Sequence, residues 1–236
     1  MRGFREFYCA TAGCLIAAIF SADAGAQEAV SPAKGVDASF SVSAATDYRY
    51  RGLSLSNKKP ALQAELTLSH ATGVYSRLWG STVADNGGAN LETQLTLGYY
   101  AEFGALNADV QAAYYVYPGA SIDNYGEVAI RLGLAIGASE LGGTASYAPP
   151  QSNIGDVDNF YAGLDGHVPL PGGLATLTGN LGIEDGAFGD RKLDWSVGLT
   201  RDVGSVTVGL AYVDTDRTFG DRLGKPTLVA SVAAAF

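Results

Sequence analysis

The sequence predicts an all-β protein: a transmembrane, antiparallel, up-and-down β-barrel of about twelve strands. Three observations predict it. From Ala38 onward nearly every segment alternates apolar with polar residues at period two. The connections alternate between tight turns and longer polar loops. Residues 227–236 read as one strand that stops at an aromatic residue. Its apolar face is Leu228, Ala230, Val232, Ala234 and Phe236, and its small, mildly polar face is Thr227, Val229, Ser231, Ala233 and Ala235. An apolar band opposite a small polar one suits a strand with lipid outside and a lumen inside. Phe236 is then the expected assembly signal of the closing strand.

The N-terminus reads as a secretory signal peptide, residues 1–26, removed before Gln27. Arg2 and Arg5 open it, residues 9–20 form an apolar run too short to span a bilayer as a helix, and Ala24-Gly25-Ala26 supplies the small residues of a cleavage site. Thr11-Ala12-Gly13-Cys14 is not read as a lipoprotein box, because the apolar run continues through residues 15–20. Both cysteines, Cys9 and Cys14, fall in the removed segment, which excludes disulfides and Cys metal sites from the mature chain. About 210 residues then remain, within the single-domain range for barrels. Residues 27–37 are polar and aperiodic and read as a flexible periplasmic lead-in; the barrel occupies 38–236. Mean hydropathy is only +0.10, as expected where alternating strands spread apolar residues thinly. A net charge of −9 argues against nucleic acid, which needs clustered Lys and Arg.

The predicted strands are 38–51, 60–71, 74–84, 90–103, 105–117, 124–138, 140–148, 158–169, 173–184, 192–203, 205–214 and 226–236. Gly73, Gly104, Ser139, Pro171-Gly172 and Gly204 mark tight turns; 52–59, 85–89, 118–123, 149–157, 185–191 and 215–225 are longer loops. That alternation is the periplasmic–extracellular asymmetry of outer-membrane barrels, and an even strand count returns both termini to one side. A soluble β-sandwich has no reason to alternate its loop lengths in this way.

Alternation also assigns faces. Leu62, Ala64, Leu66 and Leu68 oppose Gln63, Glu65, Thr67 and Ser69. Leu91, Leu95, Leu97, Tyr99 and Phe103 oppose Glu92, Gln94, Thr96 and Glu102. Val128, Ile130, Leu132, Leu134 and Ile136 oppose Glu127, Arg131, Gly133 and Gly137. Leu193, Trp195, Val197 and Leu199 oppose Asp194, Ser196, Gly198 and Thr200. An Arg or Lys on the lipid face at mid-bilayer costs about 2–4 kcal/mol, so the charged faces must line the lumen. Tyr48, Tyr50, Tyr99, Phe103, Tyr114, Trp195 and Tyr212 are expected near strand ends on the lipid side, as an aromatic girdle.

Three stretches carry a resemblance. They are Thr46-Asp47-Tyr48-Arg49-Tyr50-Arg51-Gly52-Leu53-Ser54-Leu55-Ser56 with Pro60-Ala61; Gly73-Val74-Tyr75-Ser76-Arg77-Leu78-Trp79-Gly80-Ser81-Thr82-Val83; and Tyr114-Tyr115-Val116-Tyr117-Pro118-Gly119 with Tyr125-Gly126-Glu127. The chain resembles the TorF family of Gram-negative outer-membrane porins over nearly its whole mature length, the Asp-Tyr-x-x-Arg-Gly-x-Ser opening being the most specific part. The resemblance implies a channel. Arg77 departs from it, standing where the pattern is expected to carry a small residue.

The lumen candidates are Asp47, Arg49, Arg51, Glu65, Arg77, Glu92, Glu102, Asp109, Glu127, Arg131, Asp165 and Asp194. Arg49, Arg51 and Arg77 lie on neighbouring strands and are expected to face Glu65 and Glu92 across a shared patch. Such a patch is either a charged eyelet that sorts solutes or a paired network that fills a narrow barrel. Twelve strands fall between the filled eight-strand barrels and the open sixteen-strand ones, so both readings stand. Lumen-side glycines (Gly98, Gly133, Gly137, Gly163, Gly198, Gly209) either widen the bore or give room to Tyr and Arg side chains.

An enzyme is not expected. His70 and His167 are the only histidines, and neither sits in a Ser/His motif. Residues 220–226 are one residue short of a P-loop and lack its Ser/Thr, and Asp214, Asp216 and Asp221 lack EF-hand spacing. No cofactor or metal is expected. The functional expectation is a monomeric outer-membrane barrel that passes small polar solutes or ions by diffusion. Its partners are outer-membrane lipid, lipopolysaccharide and the barrel-assembly machinery. The competing expectation is a non-conducting barrel with a filled lumen and partner-binding loops. Ten acids assigned inward (Asp47, Glu65, Glu92, Glu102, Asp109, Glu127, Asp165, Glu184, Asp194, Asp202) against four arginines (Arg49, Arg51, Arg77, Arg131) predict a modest cation preference.

Overall fold

A computed structural model describes residues 35–120, 124–216 and 222–236. The proposed signal peptide 1–26 and residues 27–34 of the lead-in lie outside the described residues. Fourteen strands follow in chain order: β1 (Val36–Ala45), β2 (Arg49–Tyr50), β3 (Leu53–Ser54), β4 (Ala61–His70), β5 (Val74–Asn86), β6 (Ala89–Phe103), β7 (Leu106–Val116), β8 (Tyr125–Ile136), β9 (Ser139–Ala148), β10 (Asn159–Pro169), β11 (Thr176–Gly186), β12 (Gly189–Val203), β13 (Val206–Thr215) and β14 (Thr227–Ala235). Twelve of them close into one barrel in the order β1-β14-β13-β12-β11-β10-β9-β8-β7-β6-β5-β4, every pair antiparallel, while β2 and β3 form a separate hairpin.

Closure joins the first and last strands. Ser41 pairs with Ala235 and Ala45 with Ser231. One step further, the Phe236 N–H donates to the Phe40 carbonyl at 2.8 Å, Phe40 returns the bond at 3.1 Å, and the two rings stack at 6.2 Å. Among the described residues every strand of the barrel is paired on both sides, the condition for backbone to cross a hydrocarbon layer.

The interior is polar and the exterior apolar, the inverse of a water-soluble core. Leu62, Leu95, Leu97, Leu164, Leu210 and Leu228 are exposed, whereas Arg77, Glu92, Asp109, Glu127 and Arg131 are buried. The face assignments for 60–71, 90–103, 192–203 and 226–236 agree with the burial, except that Leu193, Trp195 and Ala234 are half-buried rather than exposed and that Glu102 and Asp202, assigned inward, are exposed. Tyr99 and Phe103 are exposed toward one end of the barrel, Tyr114 and Tyr212 toward the other, which makes two aromatic levels.

Several expectations need correction. The strand predicted at 38–51 stops at Ala45, and residues 46–60 form a connection that carries the β2–β3 hairpin. Tyr48 is therefore buried, not part of a girdle, and Tyr50 packs against Tyr115. Val36 and Asp37, assigned to the lead-in, begin β1 and pair with His70 and Ser69. The loops expected at 85–89 and 185–191 shrink to residues 87–88 and 187–188, because their flanking strands run on. Conversely, β10 and β11 are joined by residues 170–175 rather than a tight turn. Gly137 (φ +66) lies in the β8–β9 turn, with open space around it, not on the lumen wall. The end of the barrel that holds residues 46–60, 117–120, 149–158 and 222–226 is called the loop rim below, and the other end the turn rim.

Candidate functional site

The site is the lumen, and the 46–60 segment shapes it. Its entry is pinned to β14: the Thr46 N–H donates to the Ala230 carbonyl at 2.9 Å, and Ala230 N–H donates to Thr46 Oγ1 at 3.0 Å. Asp47 then organises the segment. Its carboxylate accepts from Arg49 Nε at 2.6 Å, Ser54 Oγ at 2.5 Å and Ser56 Oγ at 3.1 Å. Ser56 Oγ accepts from the Tyr48 N–H at 2.9 Å, and the Ala84 N–H of β5 donates to the Leu55 carbonyl at 2.8 Å. Arg51 and Gly52, with φ +46 and +83, make the two-residue turn between β2 and β3. Positive φ at both central residues matches the twist of a hairpin. A Cβ on Gly52 would lie 2.5 Å from that of Thr215, so only glycine brings the tip this close to β13.

The turn aims Arg51 at the opposite wall. Its Nη1 donates to Glu184 Oε1 at 2.7 Å; Nη2 donates to both Glu127 oxygens, at 2.7 and 2.9 Å, and to Ser146 Oγ at 2.8 Å. The guanidinium lies over the rings of Tyr161 (4.4 Å) and Tyr50 (4.7 Å), a favourable place for a cation. Lys192 Nζ reaches Glu184 Oε2 at 2.6 Å and the Arg51 carbonyl at 2.9 Å. Asn159 Nδ2 donates to Glu184 Oε1 at 3.0 Å. Beside this latch, Tyr115 and Tyr125 stack at 4.5 Å, and Phe188 packs on Tyr125. A segment leaving β1 is thus fixed to β8, β9, β11 and β12, nearly across the barrel.

Nearer the turn rim, side chains come from the wall alone. Arg131 on β8 donates to Glu140 at 2.8 Å on β9 and to Asp165 at 2.7 Å on β10. Arg77 on β5 stands 3.5 Å from Glu65 on β4 and 5.3 Å from the Tyr75 ring centre. Tyr75 Oη donates to Asp109 and Gln111 at 2.9 and 3.0 Å. The lumen glycines make room for these groups. A Cβ on Gly98 would meet the Tyr75 ring, one on Gly163 or Gly182 the Tyr161 phenol, and one on Gly133 or Gly142 the Arg131 guanidinium. Of the two readings of these glycines, receiving Tyr and Arg is the one the geometry favours.

The predicted site residues therefore separate. Arg77 and Glu65 meet as expected. Arg49 and Arg51 do not share that patch. Arg49 holds Asp47 and ties the loops together through the carbonyls of Leu223 (2.8 Å) and Lys225 (3.2 Å) and Thr227 Oγ1 (2.6 Å). Glu92 receives the Tyr48 hydroxyl at 3.3 Å instead of an arginine. Asp194 receives Asn180 Nδ2 at 2.9 Å, and Asp202 receives the Thr207 hydroxyl at 2.5 Å. Glu102 takes the Tyr100 hydroxyl at 3.3 Å in an exposed position. Lys192 and Glu140 are lumen charges that sequence reasoning missed. Lys192 is in phase with Asp194, an assigned inward residue two places on, and both Lys192 and Glu140 stood at the edge of a predicted strand.

A sequence profile of bacterial proteins of unknown function, Gcw_chp, matches residues 27–236. No curated protein matches the chain. Among solved structures, one titled KdgM porin superposes with a TM-score of 0.58 at 10% identity, covering 84% of this chain and 99% of its own. The NanC porin superposes with a TM-score of 0.58 at 11% identity, covering 84% of this chain and 98% of its own. The closed twelve-strand barrel is a fold this chain shares with both.

Proposed function

The chain belongs to the Gcw_chp family of bacterial proteins of unknown function, and we propose that it is an outer-membrane channel for passive diffusion of small polar solutes or ions. The observation that carries this reading is a charged interior enclosed by a lipid-compatible wall, in which Glu65, Glu140 and Asp165 near the turn rim keep 25–28% of their side-chain surface exposed. The fold common to the two porins supports it, as does the resemblance of residues 46–61 to the TorF porins. The turn rim is periplasmic and the loop rim extracellular, the chain is exported by cleavage of residues 1–26, and it works as a monomer without a cofactor. The acids assigned inward outnumber the arginines, which supports a modest preference for cations.

The second reading, a non-conducting barrel, is favoured by one observation: the hairpin and its latch occupy the loop end of the lumen. Planar-bilayer recording separates the two. The channel reading expects small unitary steps from refolded protein, with a reversal potential on the cation side that shrinks as salt rises. Silence from both the wild type and a variant lacking the β2–β3 hairpin would leave the filled barrel. Phe236→Asp should lower the yield of heat-modifiable barrel, because it charges the closing contact with Phe40; normal yield would remove Phe236 as an assembly signal.

A further inference from the structure

The loop rim holds a second charged feature, unrelated to the lumen. The described residues of the chain carry few exposed cations, yet Lys59, Arg222 and Lys225 are all exposed and Lys58 half-exposed on two loops that touch. The contact is built. Arg49, buried, draws the second loop in through the Leu223 and Lys225 carbonyls. Lys58 Nζ donates to the Lys225 carbonyl at 3.3 Å, and Arg222 Nη2 bonds Asn57 Oδ1. Asn57 and Lys58 both adopt φ +59, an unfavourable backbone for two successive non-glycine residues, which holds the Lys58 chain against its neighbours. Partial burial and the nearby Arg49 lower the Lys58 ammonium from its ordinary value, as cations crowded together require. Among the described residues none of the four forms an ion pair with a carboxylate.

The position of this patch says what it would meet. Lys59 lies two residues before β4 and Lys225 two before β14, the strands that flank β1 in the barrel. The first outward residues below it, Leu62 and Leu228, are 66% and 64% exposed. Cations thus sit directly above bare lipid-facing leucines. Across the rim the charge reverses, with exposed Asp156, Asp158, Asp185 and Asp190.

We propose that Lys58, Lys59, Arg222 and Lys225 form a docking site for the phosphate groups of a phosphorylated outer-leaflet lipid, whose acyl chains lie on Leu62 and Leu228. The assignment rests on the outward orientation of the loop rim. A free anion would use only the cations; a lipid uses both the cations and the leucines beneath them. Anionic headgroups gain about 1 kcal/mol per Lys or Arg near the surface, so losing two cations should weaken binding about thirtyfold.

The test uses the refolded full barrel in detergent, where neither orientation nor conduction matters. Binding of diphosphorylated lipid A is compared with its dephosphorylated and deacylated forms, for the wild type and for Lys59→Ala/Lys225→Ala. The double variant keeps every backbone carbonyl that Arg49 and Lys58 use, and heat-modifiable migration confirms its fold. The expected result is binding of diphosphorylated lipid A alone, weakened about thirtyfold in the variant. Equal binding of the dephosphorylated lipid, equal binding of the deacylated sugar phosphate, or an unaffected variant would each overturn the proposal. Conductance of the same double variant, expected unchanged, reports separately on the channel reading.

Discussion

The two halves of the lumen hold their charges in different ways. At the turn-rim half, ion pairs join neighbouring strands: Arg77 to Glu65, and Arg131 to Glu140 and Asp165. The carboxylates there keep 25–28% of their side-chain surface exposed. At the loop-rim half, Arg51, Glu127 and Glu184 retain 1–5%, and the arginine comes from a hairpin that crosses the bore. Pairs of the first kind decorate a wall and stay wetted. The second kind is dry, multiply bonded and sandwiched between aromatic rings, and it closes space. Burying charge is costly unless each is paired and hydrogen-bonded, and the Arg51 latch meets most of that demand through Nη1 and Nη2, drawing partners from β8, β9 and β11 and leaving Nε without one among the described residues. On the proposed channel reading, charge near the turn rim would act on a passing ion, whereas charge at the latch acts on the protein itself.

Breaking the latch should have the largest effect. Arg51→Ala leaves Glu127 buried without its cation and Glu184 with Lys192 alone, a loss of about 3–5 kcal/mol. Urea unfolding in detergent should shift to a lower midpoint, and protease should cut within residues 46–60. An unchanged midpoint with a protected loop would show that the latch is incidental.

Arg77→Ala should have an intermediate effect confined to selectivity. It removes a cation beside Glu65 on a half-wetted wall, so cation preference should strengthen with little change in unfolding midpoint. A shift toward anions would contradict the charge assignment of the turn-rim half.

Glu140→Gln should have the smallest effect. Arg131 keeps Asp165, so the buried guanidinium still has a carboxylate partner, and the side chain at position 140 is one-quarter exposed and can be hydrated. A loss comparable to that of Arg51→Ala would erase the distinction between the halves.

What could be read from the sequence follows the same division. Lipid forces a strict apolar alternation, so the outward faces of 60–71, 90–103 and 192–203 were readable directly. The lumen imposes no such rule, because strand, loop and hairpin are equally polar there. Tyr48-Arg49-Tyr50-Arg51 alternates aromatic with basic residues and so passed for a continuation of the first strand. Its break was marked only by Gly52 and by the absence of any aliphatic residue on the would-be lipid face. The same ambiguity hid Lys192 and Glu140, since a charged residue at a strand edge reads as loop. The glycines were recognised as inward-facing, but only the ring of Tyr75 over Gly98 and the phenol of Tyr161 between Gly163 and Gly182 decide what they make room for.

On the proposed channel reading, an inward-folded segment held by Arg51, not the strand count, sets the bore. Single-channel conductance of wild-type protein beside Arg51→Ala, recorded in planar bilayers under one salt condition, tests it most directly. The account predicts small steps for the wild type and clearly larger ones for Arg51→Ala, as the hairpin leaves the far wall. Steps of equal size in the two proteins would contradict it.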